Sequence, residues 1–357
     1  MPLLLDTARF GSPSELLGSN CLTIGFVNNM PDTAVGATER QFVDLIRGAS
    51  SDAVVRLKLF AISGVPRSEL AQSEVTERYH DISELWDTRL DGLIVTGTEP
   101  RVAALADEPY WAELIKLVAW AQENTISTVW SCLAAHAAVL HTDGIERRRL
   151  DDKLFGVFDH DVVAEHSLLN GMPPRLSVPH SRYHDLSGNA LTSCGYRVLT
   201  GSAATGADTF VREEQGSSLF VFFQGHPEYE TDTLVREYRR DIGRFLRGER
   251  ERFPAMPQNY FNDEATGLVE SFRARAVARA IDVRRESLLS DFPMSDLQRG
   301  LENTWRDPAN GIYRNWLEYL KDRKAERRTL SSRPSRSPGD ALRVGKVHSA
   351  VGGSAAG

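Results

Sequence analysis

The chain has 357 residues, 41% of them hydrophobic and 25% charged, with a formal net charge of −7. That balance is ordinary for a soluble globular protein, and a chain of this length can bury a large core. It gives no basis for wholesale nucleic-acid binding, and no apolar run approaches the ~20 residues needed to cross a bilayer.

The first 20 residues read as a lead-in segment, with an apolar triplet but no basic region and long apolar core of a secretory signal. CLTIGFVNN (21–29) is a predicted strand, TERQFVDLIRGA (38–49) a helix and VVRLKLFAI (54–62) a second strand. A polar helical stretch (67–88) precedes the strand GLIVTG (92–97), and PYWAELIKLVAWAQEN (109–124) is an amphipathic helix. Strands alternating with helices specify an α/β fold with a mainly parallel, doubly wound sheet. In such sheets ligands bind beyond the carboxyl ends of the strands, where Asn28–Asn29, Gly97–Thr98, Cys132 and Gly225–His226 all fall. Residues 150–225 are richer in β pattern and extend the same domain, which runs over 21–321. Residues 231–249, 265–288 and 301–320 read as C-terminal helices, and 322–357 as a basic disordered tail. No internal repeat is present.

Cys21, Cys132 and Cys194 are too widely spaced for a metal motif or a disulfide framework, which fits a reducing cytoplasm. Cys132 stands where the apolar run ISTVWS meets the Ala-rich helical pattern LAAHAAVL. A thiol at such a corner lies near a helix N-terminus, where amide N–H groups and the macrodipole favour a thiolate. Taken alone, the position suits either a buried core cysteine or a nucleophile. A second segment, LFVFFQGHPEY (219–229), ends an apolar strand in Gly225, His226, Pro227 and Glu228. A cysteine nucleophile needs a base, and the base needs a group to fix its tautomer. His226 and Glu228, two apart across a stiffening proline, supply both types, so the three together favour a Cys132–His226–Glu228 triad. His136, His141, His160, His166 and His180 form no strong zinc spacing, so no metal is expected.

The motifs NNMPDTAVGATERQF (28–42), DGLIVTGTEP (91–100), STVWSCLAAHAAVLHTDGI (127–145), KLFGVFDH (153–160), VPHSRYHDL (178–186), GHPEYETDTLVREYRRDI (225–242) and TWRDPANGIYRNWLEY (304–319) occur in one order over residues 20–320. In that order they resemble the homoserine O-acyltransferases of the homoserine O-succinyltransferase type, which adopt a class I glutamine amidotransferase-like (flavodoxin-like) fold. The resemblance implies acyl transfer from acyl-CoA to L-homoserine in methionine biosynthesis, with no cofactor beyond the co-substrate. It implies Cys132 as the acyl-accepting nucleophile, His226 as the base and Glu228 as its orienter. Arg240, Lys153 and Ser181 match the family's substrate-binding positions, and a homodimer is the family habit. The oxyanion of the tetrahedral intermediate needs donors, for which the backbone N–H groups of Leu133 and of Thr98 in the Gly97–Thr98 loop are candidates.

Two departures stand out. The family carries a lysine after the first Met–Pro pair, whereas Met30–Pro31 is followed by Asp32 and Thr33. The position that selects the acyl donor in the family is glycine or glutamate, and here it is Arg101. Arginine can pair with a succinyl carboxylate, which favours succinyl-CoA over acetyl-CoA. The open alternatives are an acetyltransferase acting on homoserine or serine, a glutamine amidotransferase-like hydrolase, and an inactive homologue. The amidotransferase pattern places glycines around the cysteine where this chain has Trp130 and Ala134.

Overall fold

The computed structural model describes residues 3–8, 21–32, 34–50, 54–278 and 285–331. The N-terminal half runs β1 (Leu3–Asp6), β2 (Cys21–Val27), α1 (Ala34–Ala49), β3 (Val54–Phe60), α2 (Glu69–Arg78), α3 (Ile82–Trp86), β4 (Gly92–Val95), α4 (Trp111–Asn124), β5 (Ser127–Ser131) and α5 (Leu133–Asp143). There follow β6 (Arg148–Val162), β7 (Arg175–Asp185), α6 (Gly188–Ser193), β8 (Arg197–Val198), β9 (Thr200–Ser202), β10 (Gly206–Ala207), β11 (Thr209–Arg212) and β12 (Leu219–Phe223). Helices α7 (Thr233–Leu246), α8 (Asp263–Ala278), α9 (Met294–Arg299) and α10 (Arg306–Ser331) close the chain.

The main sheet has the order β1-β3-β2-β4-β5-β12-β11-β8. Its first six strands are mutually parallel, and β11 and β8 are antiparallel additions at one edge. The expected α/β fold with a mainly parallel sheet and C-terminal helices is therefore observed. Every residue of β4, β5 and β12 is buried, as continuous apolar strands between two helical layers should be. One face of the sheet packs with α1 and α10, through Phe42, Ile46, Trp316 and Leu320. The other packs with α4 and α5, through Leu117, Trp130 and Ala138. A second, antiparallel sheet, β10-β9-β6-β7, holds the long hairpin between β6 and β7. A third apolar cluster joins α7 and α8 to Phe155 and Trp305.

Three sequence boundaries need correction. The lead-in segment contributes a strand, because Leu3–Asp6 pairs in parallel with β3. The stretch 265–288 is not one described helix: α8 ends at Ala278, 279–284 lie outside the described residues, and a 3₁₀ segment covers Arg285–Asp291. The tail does not begin at 322, since α10 runs on to Ser331. Lys324 explains the extension: its Nζ donates to the Cys21 carbonyl at 2.8 Å and Asp91 Oδ2 at 2.6 Å, clamping the helix to the sheet. A polar helix anchored by its cations carries no apolar signal. The tail expectation for 332–357 lies outside the described residues.

Candidate active site

Strands β5 and β12 lie side by side, with Phe223 opposite Ser131, so the chain leaves both at the same level. The Cys132 N–H then donates to the Phe223 carbonyl at 2.8 Å, tying the two exits together. Cys132 takes φ 51° and ψ −112° as the N-cap of α5. A non-glycine residue held there costs about 1–3 kcal/mol and turns the side chain out of the strand–helix corner. Residues 133–139 behind it are all buried, so the corner has a rigid seat, and the thiol itself is only partly buried. The Leu133 amide opens α5, where the first N–H groups have no intrahelical acceptor. Gly97 approaches it closely; a Cβ there would lie 2.8 Å from the Leu133 nitrogen.

The His226 Nδ1 lies 2.8 Å from Glu228 Oε1, and the Cys132 sulfur lies near enough to the same ring to interact with it. Burial disfavours a charged ring. Interactions with Glu228 and then with Cys132 outweigh it and hold the protonated ring well above the ordinary histidine value. Tyr229 stacks on the ring at 4.3 Å between centroids. Thus the sulfur of Cys132 meets the imidazole and carboxylate of a loop about 95 residues further along the chain, at one rim of the sheet.

The three positions read as substrate contacts also converge. Ser181 Oγ donates to Glu237, Lys153 Nζ lies 3.5 Å from Glu237 and 3.2 Å from Asp241, and Arg240 lies 3.1 Å from Asp241. Tyr229 Oη donates to Glu237 Oε1 at 2.5 Å, which links this cluster to the His226 ring. Burial alone would raise the carboxyls of Glu237 and Asp241, but the charges of Lys153 and Arg240 and hydrogen bonds hold both below the usual range. Sequence reading missed Glu237, Asp241 and Tyr229. The spacing of 237 and 241 on one face of α7 was visible, but it looks the same on any solvated helix.

Arg101 is exposed beside the strand ends. Its backbone N–H donates to the buried Glu108 at 2.6 Å, and its charge acts on Asp32. Asp32 accepts the Ser68 N–H at 2.7 Å, while Thr33 lies outside the described residues. Where the family lysine is missing, Arg67 donates to the carbonyls of Asn28, Met30 and Ile62 at 3.1 Å each and so fixes the loop. Arg147 is a second cation that sequence reading passed over. It donates to the Ala103 carbonyl at 3.2 Å and lies near enough to Cys132 to act on it electrostatically.

Of the five histidines set aside, His136, His160 and His180 are buried. Among the described residues, His160, His180 and Asp208 bring ligand-type atoms within 4.8 Å of one another. The protons argue against an ion there. The Phe158 carbonyl can only accept, so His160 Nδ1, 3.1 Å away, carries the proton. Arg182 Nε can only donate, so His180 Nδ1, 3.3 Å away, is bare and its Nε2 is protonated. That N–H points at His160 Nε2, 3.3 Å distant. A metal on His180 Nε2 would drive the proton to Nδ1, against the guanidinium.

A family model described as homoserine O-succinyltransferase matches residues 17–327. A homoserine O-succinyltransferase of Rhodopseudomonas palustris is 49% identical over 86% of this chain and 90% of its own length. One from Methylorubrum extorquens is 49% identical over 85% of this chain and 88% of its own, and one from Bradyrhizobium japonicum is 46% identical over 84% and 90%. Among solved structures, a glutamine amidotransferase of Methylobacillus flagellatus covers 84% of this chain and 95% of its own, at 17% identity and a TM-score of 0.45.

Proposed function

Because the chain belongs to the homoserine O-succinyltransferase family, we propose that it transfers a succinyl group from succinyl-CoA to the hydroxyl of L-homoserine, through a thioester on Cys132. The observation that carries the reading is the Cys132–His226–Glu228 set, brought together at the ends of adjacent parallel strands with Glu228 hydrogen-bonded to the ring.

His226 takes the thiol proton as general base, and Glu228 holds the ring with Nε2 toward sulfur. The thiolate attacks the thioester carbonyl of succinyl-CoA, and the oxyanion is met by the Leu133 N–H and by an amide of the Gly97–Thr98 loop. On collapse the bond to the CoA sulfur breaks, and His226 gives its proton to that leaving thiolate. His226, now neutral, takes the proton of the homoserine hydroxyl as its oxygen attacks the acyl-enzyme. Collapse of the second intermediate releases O-succinylhomoserine and restores the thiolate–imidazolium pair, a ping-pong sequence.

The acceptor is a zwitterion and the second cluster has both signs. Arg240, about half exposed at its side chain, offers its fork to the α-carboxylate, and Glu237 offers an acceptor to the ammonium. Lys153 and Ser181 hold Glu237 in place. Arg101 at the rim pairs with the succinyl carboxylate. Within the described residues no helix is long and apolar enough to cross a membrane. Three free cysteines suit a reducing cytoplasm, and the family habit suggests a homodimer. The test is a matrix of donors (succinyl-CoA, acetyl-CoA) against acceptors (homoserine, serine), read as free CoA thiol. Highest turnover for succinyl-CoA with homoserine is expected; a strong acetyl preference, or glutaminase activity without CoA release, overturns the reading.

A further inference from the structure

Buried groups that the reaction does not use lie against the loop that carries His226. Three consecutive amides lead into that ring, and each is anchored. The Gln224 N–H donates to the Asp208 carbonyl at 3.1 Å, the Gly225 N–H to Asp208 Oδ1 at 2.8 Å, and the His226 N–H to the Pro179 carbonyl of β7 at 2.9 Å. Asp208 thus takes two of the three. Its other carboxyl oxygen accepts from Thr209 Oγ1 at 2.9 Å and Thr200 Oγ1 at 3.2 Å. Asp208 is 1% exposed and His180, 3.7 Å from its Oδ1, is fully buried. The loop is seated on this pair without slack: a Cβ on Gly225 would lie 2.4 Å from Val178 Cγ1, 2.8 Å from Asp208 Oδ1 and 3.0 Å from His180 Cε1.

A buried carboxyl group that no lysine or arginine among the described residues contacts is expensive to keep for stability alone. Here its acceptor capacity is spent on the amide before the base and on two hydroxyls that fix its own rotamer. His180 is neutral, because burial and then the neighbouring charge of Arg182 push it well below the ordinary histidine value. A neutral ring against the loop does not repel the imidazolium that the loop carries.

We propose that Asp208, backed by His180, is the positioning residue that sets His226 against Cys132. It acts through the Gly225 amide and touches no substrate. The inference rests on the reading of His226 as the base. The groups facing the His226 ring are Cys132 from the head of α5, Glu228 and Tyr229 from its own loop, and His180 from β7; Tyr313 on α10 faces Glu228, and Glu237 on α7 holds Tyr229. Asp208 is therefore expected to move the His226–Cys132 ion pair by geometry, through its hold on the loop.

The test compares wild type with Asp208→Ala, Asp208→Asn, Gly225→Ala and His226→Asn. The readouts are the pH dependence of Cys132 alkylation by iodoacetamide (followed on the Cys132 peptide), kcat and KM for succinyl-CoA, and thermal unfolding. Asp208→Ala is expected to raise the alkylation midpoint by about one pH unit, since the imidazolium no longer sits on the thiolate. Its kcat falls ~10–100-fold with KM nearly unchanged, the cost of misplacing a base by up to 1 Å. Asp208→Asn, which keeps an oxygen for the Gly225 amide, recovers most of the rate. Should Asp208→Ala not fold, Gly225→Ala lifts the loop from the same seat and gives the same signature. A lowered melting temperature with wild-type midpoint and kcat overturns the proposal in favour of a purely structural role. Stoichiometric zinc in wild type that Asp208→Ala loses overturns it in favour of a metal site. If His226→Asn itself leaves the midpoint unmoved, the triad fails; if only the Asp208 and Gly225 variants leave it unmoved, the positioning role alone fails.

Discussion

Glu228→Gln isolates the charge behind His226. The carboxylate is buried and lies 2.8 Å from His226 Nδ1, and glutamine can still accept that N–H through its carbonyl, so ring orientation survives while the charge is lost. A neighbouring opposite charge shifts a titrating group by about 1–3 pH units, at ~1.4 kcal/mol each. Coulomb attraction of ~4 kcal/mol at 4 Å and an effective dielectric of 20 is the upper end of the same range. The direction follows from the folded state. Glu228 raises the imidazolium, so its loss lowers it, the ring gives up its proton earlier, and less thiolate forms at neutral pH. The alkylation midpoint of Cys132 should rise by at least about one unit and kcat fall by roughly 10–10³-fold, with KM for succinyl-CoA little changed. The assay is the alkylation rate from pH 5 to 10 (about that span) beside steady-state kinetics. A Glu228→Gln enzyme with the wild-type midpoint and kcat within about twofold would refute the electrostatic account of the base.

Other consequences are separable. Arg240→Ala should raise KM for homoserine by ~10–100-fold while a single turnover of succinyl-CoA on Cys132 stays intact, because one charged hydrogen-bond partner of the acceptor is removed; an equal loss in both half-reactions would contradict the assignment. Arg101→Ala should lower the succinyl-over-acetyl preference by only about 2–5-fold, since an exposed pair is worth ~0.2–1 kcal/mol; donor preference measured by CoA release decides it. His136 is 3% exposed and burial pushes its pKa down to about 3, so the unfolded chain takes up a proton near pH 6.5 that the folded chain refuses. Stability should fall as pH drops below that value, by about 2 kcal/mol per such histidine at pH 5, and His136→Gln should flatten the acid limb in urea melts. Truncation after Asp322 removes Lys324 and its two bonds, and should lower the melting temperature by several degrees at about 1–3 kcal/mol.

How much of this was legible in the sequence depended on the range of the signal. The corner at Cys132 was legible because β5 is a continuous apolar run and α5 an Ala-rich helix, so periodicity changes at the cysteine. The His226 loop was legible for the same reason, β12 being five buried residues followed by Gly-His-Pro-Glu. Lys153, Ser181 and Arg240 came only from the resemblance, for their chemistry depends on Glu237 and Asp241, which α7 delivers from across the site. Asp208 and His180 gave no local sign, because their partners are backbone amides and rings on other strands. The end of α10 was misjudged because lysine and arginine on a helix look solvated until one of them finds a buried carbonyl.

Intact-protein mass spectrometry of the purified enzyme with succinyl-CoA tests the central claim most directly. The account requires one succinyl group on the protein, mapped to Cys132, absent in Cys132→Ser under the same brief exposure, and discharged on addition of L-homoserine with release of O-succinylhomoserine. Product formed at the full rate with no adduct on Cys132, or an adduct that homoserine does not discharge, would contradict it.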